Sequence, residues 1–118
     1  MIRGIGVDIV DLDRFDRQVL RTPGLVPRLF AAGERGLPNH SLAARFAAKE
    51  ALIKALGDSA GASWHEMEVV SDPHGNPGFR LSGVVAEALR ARGIDSVHLT
   101  MTHDAGVACA FVLLEGPA

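Results

Sequence analysis

The stretch from Ser41 to Leu56 constrains this fold most. Alanine is dense through it, Leu42, Phe46 and Ile53 recur at helical spacing, and Gly57 sits at the expected stop. Ser41 can cap the start. The spacing predicts one long helix around which the other elements are arranged. The same stretch carries both lysines of the chain, Lys49 and Lys54, although lysine and arginine together number 12. Where a generic surface cation would serve, the chain uses arginine. Lysine offers a compact ammonium that sits as a point charge on a phosphate, whereas arginine offers a wide planar fork.

Glu50 lies between the lysines and shares a helix face with Lys54. A carboxylate beside an ammonium suits a site for a metal ion and a phosphorylated ligand. The same spacing also describes a surface ion pair of about 0.3–0.5 kcal/mol. The segment alone leaves both readings open.

The remaining elements follow from local signals. Ile2 to Val10 reads as a buried strand whose end delivers Asp8, followed by Asp11 and Asp13. Leu12 to Arg21 reads as a short helix with Asp11 as N-cap. Arg14, Arg17 and Arg21 recur along one of its faces. Thr22-Pro23-Gly24 stops it, and Leu25 to Pro38 is broken by proline and glycine into loop with a short helical turn. His65 to Val70 and Phe79 to Leu81 read as strands joined by the turn cluster Asp72 to Pro77. Gly83 to Arg92 reads as a second long helix, capped by Ser82 and closed by Gly93. Val97 to Thr102 and Val107 to Leu114 form a last hairpin around His103-Asp104-Ala105-Gly106. The order predicts an α+β fold, a mostly antiparallel sheet packed against the long central helix.

Composition bounds the function. At 118 residues the chain is read as one domain, 1–118, too short for both a core and a deep cleft, so a site between subunits is expected. A net charge of −2 provides no basic field for nucleic acid. The single cysteine, Cys109, excludes an internal disulfide and a cysteine-based zinc cluster. No apolar run reaches a membrane-spanning length, and the start shows no signal-peptide stretch, so a cytoplasmic location is expected. Phosphate-loop, zinc-protease and serine-elbow motifs are absent.

Three signals then combine: Asp8 at a strand end, Glu50 with Lys54 on the helix, and His103 with Asp104 at the last hairpin. Carboxylates are hard oxygen ligands suited to Mg²⁺ shared with water and phosphate oxygens. A neighbouring lysine would neutralise a pyrophosphate, the equipment of phosphoryl transfer. A non-catalytic anion cradle of Arg45, Lys49, Lys54 and His103 is the competing class, but it would not need Asp8 and Glu50. A subunit with a decayed site is a third, opposed by the intact Asp8, Glu50 and Lys54.

Gly4-Ile5-Gly6-Val7-Asp8, Arg45-Phe46-Ala47-Ala48-Lys49-Glu50-Ala51-Leu52-Ile53-Lys54 and Thr100-Met101-Thr102-His103 resemble the three motifs of the short holo-[acyl-carrier-protein] synthase family of 4′-phosphopantetheinyl transferases. The resemblance implies that fold, and Mg²⁺-dependent transfer of phosphopantetheine from coenzyme A to a serine of an acidic apo acyl carrier protein, in fatty acid biosynthesis. It implies that Asp8 and Glu50 hold Mg²⁺, that Glu50 helps remove the serine proton, and that Lys54 neutralises the leaving phosphate. His103 would contact coenzyme A phosphates, with Arg45 and Lys49 on the 3′-phosphate side. Gly75-Asn76-Pro77 resembles the family turn near the adenine. Arg14 and Arg21 match arginines of the family helix that docks the carrier, with Arg17 between them. A homotrimer with sites between subunits is implied as well.

The chain departs from the family at its last motif. Threonines stand where serines are usual, and Asp104 follows the histidine in place of a small hydroxyl residue. Asp104 is therefore a third candidate metal ligand, the alternative being a turn-forming Asx residue. His40, His65, His74 and His98 carry no motif and read as surface or satisfied polar residues. Trp64 reads as core or subunit contact, and Cys109 as a small buried hydrophobe.

Overall fold

A computed structural model of the protein describes residues 1–59 and 61–118. Strand β1 (Ile2–Asp11) leads into helix α1 (Leu12–Arg21), a short helix α2 (Leu25–Leu29) and the long helix α3 (Asn39–Leu56). A 3-10 turn (Trp64–Glu66) precedes β2 (Met67–Ser71), β3 (Pro77–Leu81), α4 (Gly83–Ala91), β4 (Ser96–Asp104) and β5 (Val107–Glu115). The strands pair antiparallel throughout, in a three-stranded sheet of order β1-β5-β4 and a separate β2-β3 hairpin. The fold is α+β, with α3 laid across β1 and β5.

Glycine explains how closely helix and sheet approach. Strand alternation places Gly4, Gly6 and Asp8 on one face of β1. A Cβ on Gly6 would lie 2.0 Å from the Ala51 carbonyl oxygen, and one on Gly4 would lie 2.3 Å from that of Ala55. The strand backbone therefore rests directly on the helix backbone, and α3 answers with small residues at Ala47, Ala48, Ala51 and Ala55, all buried. Across the sheet Ala110, Val112 and Leu114 of β5 complete this core, while Ala108 packs in a second cluster with Phe15, Phe30 and Leu42. The opposite face of β1 carries Ile5, Val7 and Ile9, all exposed, with exposed Phe111 of β5 opposite Val7.

Several local expectations need correction. Helix α3 begins at Asn39 with Pro38 as its N-cap residue, so Ser41 lies inside the first turn and caps nothing. Its core contribution comes from alanines and leucines on several sides; of the expected stripe only Leu42 is fully buried, and Phe46 and Ile53 are half-buried. Ser82 occupies the α4 cap position without a side-chain bond. Glu66, brought from the 3-10 turn, accepts from the Val84 amide at 2.8 Å instead. Asp11 does cap α1, accepting from the Arg14 amide at 2.8 Å. Cys109 is half-buried, on the sheet face away from α3.

Candidate active site

Because α3 lies against β1, Asp8 meets residues of the helix far away in sequence. Lys54 Nζ donates to Asp8 Oδ1 at 2.9 Å and to the Val7 carbonyl at 3.1 Å. Asp8 and Glu50 line one pocket of about 190 Å³, bordered by Arg14, Phe15, Gln18 and Phe46. Burial pushes the Glu50 carboxyl above its ordinary value, the Asp8 charge adds to the rise, and Lys54 works against it. The hydrogen bond to Asp8, then the Asp8 charge, pushes the Lys54 ammonium upward. Two carboxylates sharing a half-enclosed pocket carry more negative charge than one lysine offsets. Asp11 also lines this pocket but caps α1 through the Arg14 amide, and no three potential ligands converge among the described residues, so the Asp8 and Glu50 oxygens fit a hard divalent cation with open positions.

Lys49 is placed differently from its expected ligand role. Its side chain is 0% exposed. Nζ donates to Glu34 Oε1 at 2.8 Å, to the Leu29 carbonyl at 2.8 Å and to the Trp64 carbonyl at 3.3 Å. Burial lowers the Lys49 pKa, and Glu34 opposes that shift by hydrogen bond and charge. With its three protons directed inward, Lys49 has none left for a phosphate. Glu34, which no sequence signal singled out, is the hub of this cluster. It accepts from the Ala31 and Val69 amides and lies 4.0 Å from Arg45 Nε. The only legible hint was one acid between glycines Gly33 and Gly36.

Asp104 also departs from expectation. β4 continues through Asp104, and the hairpin closes on the two residues Ala105 and Gly106, with φ of 52° and 80°. Asp104 pairs with Val107, while His103 pairs with Ala108. Alternation sends His103 to the helix-facing side and Asp104 to the other. The Asp104 carboxylate accepts from the Ala105 amide at 2.8 Å, the turn role, and does not join Asp8 and Glu50.

His103 and Arg45 line a second pocket, of about 180 Å³, at the start of α3, together with Ser41, Thr102 and His40. The single chain thus holds a carboxylate pocket and a cationic pocket as separate places. Gly75 and Pro77 belong to the β2–β3 turn, organised by Asp72, which accepts from the His74 and Asn76 amides. Neither lines either pocket. Arg14, Arg17 and Arg21 are exposed along α1, and Arg14 reaches the rim of the carboxylate pocket.

Comparison with known proteins matches residues 4–112 to the 4′-phosphopantetheinyl transferase superfamily. A holo-[acyl-carrier-protein] synthase of Clavibacter michiganensis subsp. michiganensis is 67% identical over 118 residues, spanning 100% of this chain and 99% of its own. The crystal structure of holo-[acyl-carrier-protein] synthase from Neisseria meningitidis is similar at TM-score 0.89 and 34% identity, covering 98% of this chain and 99% of that one. The Helicobacter pylori synthase, solved in complex with coenzyme A, aligns at TM-score 0.83 and 32% identity, over 94% of this chain and 99% of that one.

Proposed function

The chain belongs to the 4′-phosphopantetheinyl transferase superfamily, and on that premise we propose that it works as a holo-[acyl-carrier-protein] synthase. It moves the phosphopantetheine arm of coenzyme A to a serine of apo acyl carrier protein and releases adenosine 3′,5′-bisphosphate. The observation that carries the reading is the meeting of Asp8, Glu50 and Lys54 across the β1–α3 contact.

Asp8 and Glu50 are the residues that would hold Mg²⁺, which when bound neutralises the pyrophosphate. The serine oxygen forms a bond to the phosphorus that bears the pantetheine arm, and the bond from that phosphorus to the bridging oxygen breaks. Glu50 suits the departing serine proton, because burial and Asp8 already raise its affinity for one. Lys54, anchored by Asp8 but half-exposed, faces the charge that develops on the leaving phosphate. Arg45 and His103 take other phosphate oxygens of coenzyme A, and the Gly75–Pro77 turn lies toward the adenine. Arg14, Arg17 and Arg21 attract the acidic carrier, an effect that belongs mainly to the association rate.

The protein works as a single domain in a homotrimer, with each site between two subunits. Two observations support this. The cationic and carboxylate pockets are separate within one chain, so a neighbour's cationic pocket can face this chain's carboxylates. The apolar outer face of β1 and β5 exposes Ile5, Val7, Ile9 and Phe111 by 60%, 51%, 64% and 39%, a patch that subunit contact would cover. The expected setting is cytoplasmic fatty acid biosynthesis.

Mass spectrometry of an apo carrier protein incubated with coenzyme A and Mg²⁺ tests the reading. Gain of one phosphopantetheine, abolished by EDTA, is expected; no gain, or a gain indifferent to EDTA, overturns it. Sedimentation equilibrium should show a trimer, and a fully active monomer would remove the shared site. Arg14→Glu with Arg21→Glu should raise KM for the carrier and spare that for coenzyme A; equal effects on both substrates would refute the docking role.

A further inference from the structure

We propose that Asp104 is a positioning residue for carrier docking: it locks the tip of the β4–β5 hairpin, and the tip fixes the start of helix α1. This deepens the transferase reading and rests on it. Hairpin and helix meet through a main-chain bond, in which the Leu12 amide donates to the Gly106 carbonyl at 2.9 Å. Leu12 is the first residue of α1, and Gly106 is the second residue of the turn. The pairing of β1 with β5 ends one step earlier, at Asp11 opposite Val107. The tip therefore takes hold of the chain where the strand has ended and the helix begins. The first amides of a helix have no acceptor within it, and here the tip supplies one. The helix so placed exposes Arg14, Arg17 and Arg21, and Arg14 also lines the carboxylate pocket. A tilt about the start of α1 moves Arg21, at its far end, more than Arg14. The spacing between the arginines and the pocket thus depends on how firmly that start is held.

Asp104 is what holds the tip in shape. The turn needs left-handed backbone at both of its residues, with φ of 52° at Ala105 and 80° at Gly106. Glycine adopts that conformation freely, whereas alanine is disfavoured there. The Asp104 carboxylate accepts from the Ala105 amide at 2.8 Å and so steadies the disfavoured residue. Asp104 is exposed and ends β4, so its carboxylate adds nothing to the core. The contacts stand in series, from Asp104 to Ala105, then through Gly106 to Leu12. His103, one residue earlier, is held by its strand pairing with Ala108, so the cationic pocket does not depend on the lock.

Amide hydrogen exchange and substrate kinetics on the full chain test this together. Asp104→Ala should speed exchange of the Leu12 amide and the first turn of α1 roughly 10-fold, with the amides of β4 and β5 protected as in the wild type. KM for the apo carrier should rise roughly 3- to 10-fold, the size of one lost hydrogen bond, while kcat and KM for coenzyme A hold. Asp104→Asn, which keeps an accepting oxygen, should recover most of the loss. Leu12→Pro deletes the donor at a helix position where proline fits, after an Asp11 already extended at φ −71° and ψ 123°. It should raise KM for the carrier beyond Leu12→Ala, which loses the same side chain but keeps the amide. Unchanged exchange or an unchanged carrier KM in Asp104→Ala overturns the assignment, as does an equal rise in both KM values or a Leu12→Pro no worse than Leu12→Ala. A protein whose α1 loosens in Asp104→Ala, yet whose wild type transfers nothing, overturns the transferase reading alone.

Discussion

Two lysine–carboxylate pairs lie one and a half helical turns apart on α3, and they have opposite surroundings. Lys49 and Glu34 are fully buried, and Glu34 also accepts from two backbone amides. Lys54 is 54% exposed and Asp8 17%, and Asp8 lines a pocket that also holds the Glu50 carboxylate. The inner pair has every proton directed to an acceptor, so it ties the loop after α2, the 3-10 turn and β2 to the helix. The outer pair is left with one carboxylate in excess, which is the condition for binding a cation and moving a proton. The difference teaches that identical residue types five positions apart can serve the fold or the reaction, according to how completely each is satisfied.

The largest expected effect tests the outer pair. Glu50→Gln should lower kcat roughly 10²–10⁴-fold, the range for loss of a general base, with the fold retained by circular dichroism; near-wild-type turnover would remove Glu50 from the chemistry. Lys54→Ala should likewise lose activity and keep its denaturation midpoint. A stability loss there that matches the activity loss would erase the contrast between the pairs.

Lys49→Ala should show the reverse. It leaves a buried carboxylate unpaired, so unfolding by denaturant should reveal a loss of about 3–5 kcal/mol. Lys49→Met with Glu34→Gln should recover part of it, because no buried charge is then left alone. If Lys49→Ala is as stable as wild type, the inner pair is not structural.

Gly6→Ala strikes the surface between α3 and β1, on which the outer pair depends. Its Cβ would meet the Ala51 carbonyl, so helix and strand must separate, at a cost of about 1–3 kcal/mol or more. Activity should fall beyond what that stability loss explains, since Asp8 moves relative to Glu50; equal stability in the variant would show that the contact is slack.

The smallest effect is on pH. Folding raises the Glu50 pKa, so its contribution to stability is fully present below the unfolded value and is lost as pH rises through the folded value. Glu50→Gln should flatten that part of the pH–stability curve. An NMR titration of the Glu50 carboxyl should move down in Asp8→Asn and up in Lys54→Ala; a shift in the wrong direction in either variant would contradict the coupling.

Much of the α+β fold was legible because its signals are local. The alanine-dense segment, the Asp11 cap, Gly57 and the existence of the last hairpin all rest on signals within a few residues, although the turn itself is two residues, Ala105-Gly106, rather than the four from His103 to Gly106. The three motifs likewise announced a phosphate chemistry, since their residue types and spacing stand in the chain. What sequence could not assign was the direction of each side chain across long separations. Lys49 resembled a ligand because it stands next to Glu50, yet a one-residue step on a helix turns it about 100° and into the core. Asp104 resembled a ligand because it follows His103, yet strand alternation sends the two to opposite faces. Glu34 carried no motif at all; it matters because folding brings it to Lys49. The chain by itself determined which elements form and which reactive groups it owns. Only tertiary packing decided which of those groups were satisfied inside and which were left open at a surface, because burial and charge partners belong to neighbours in space.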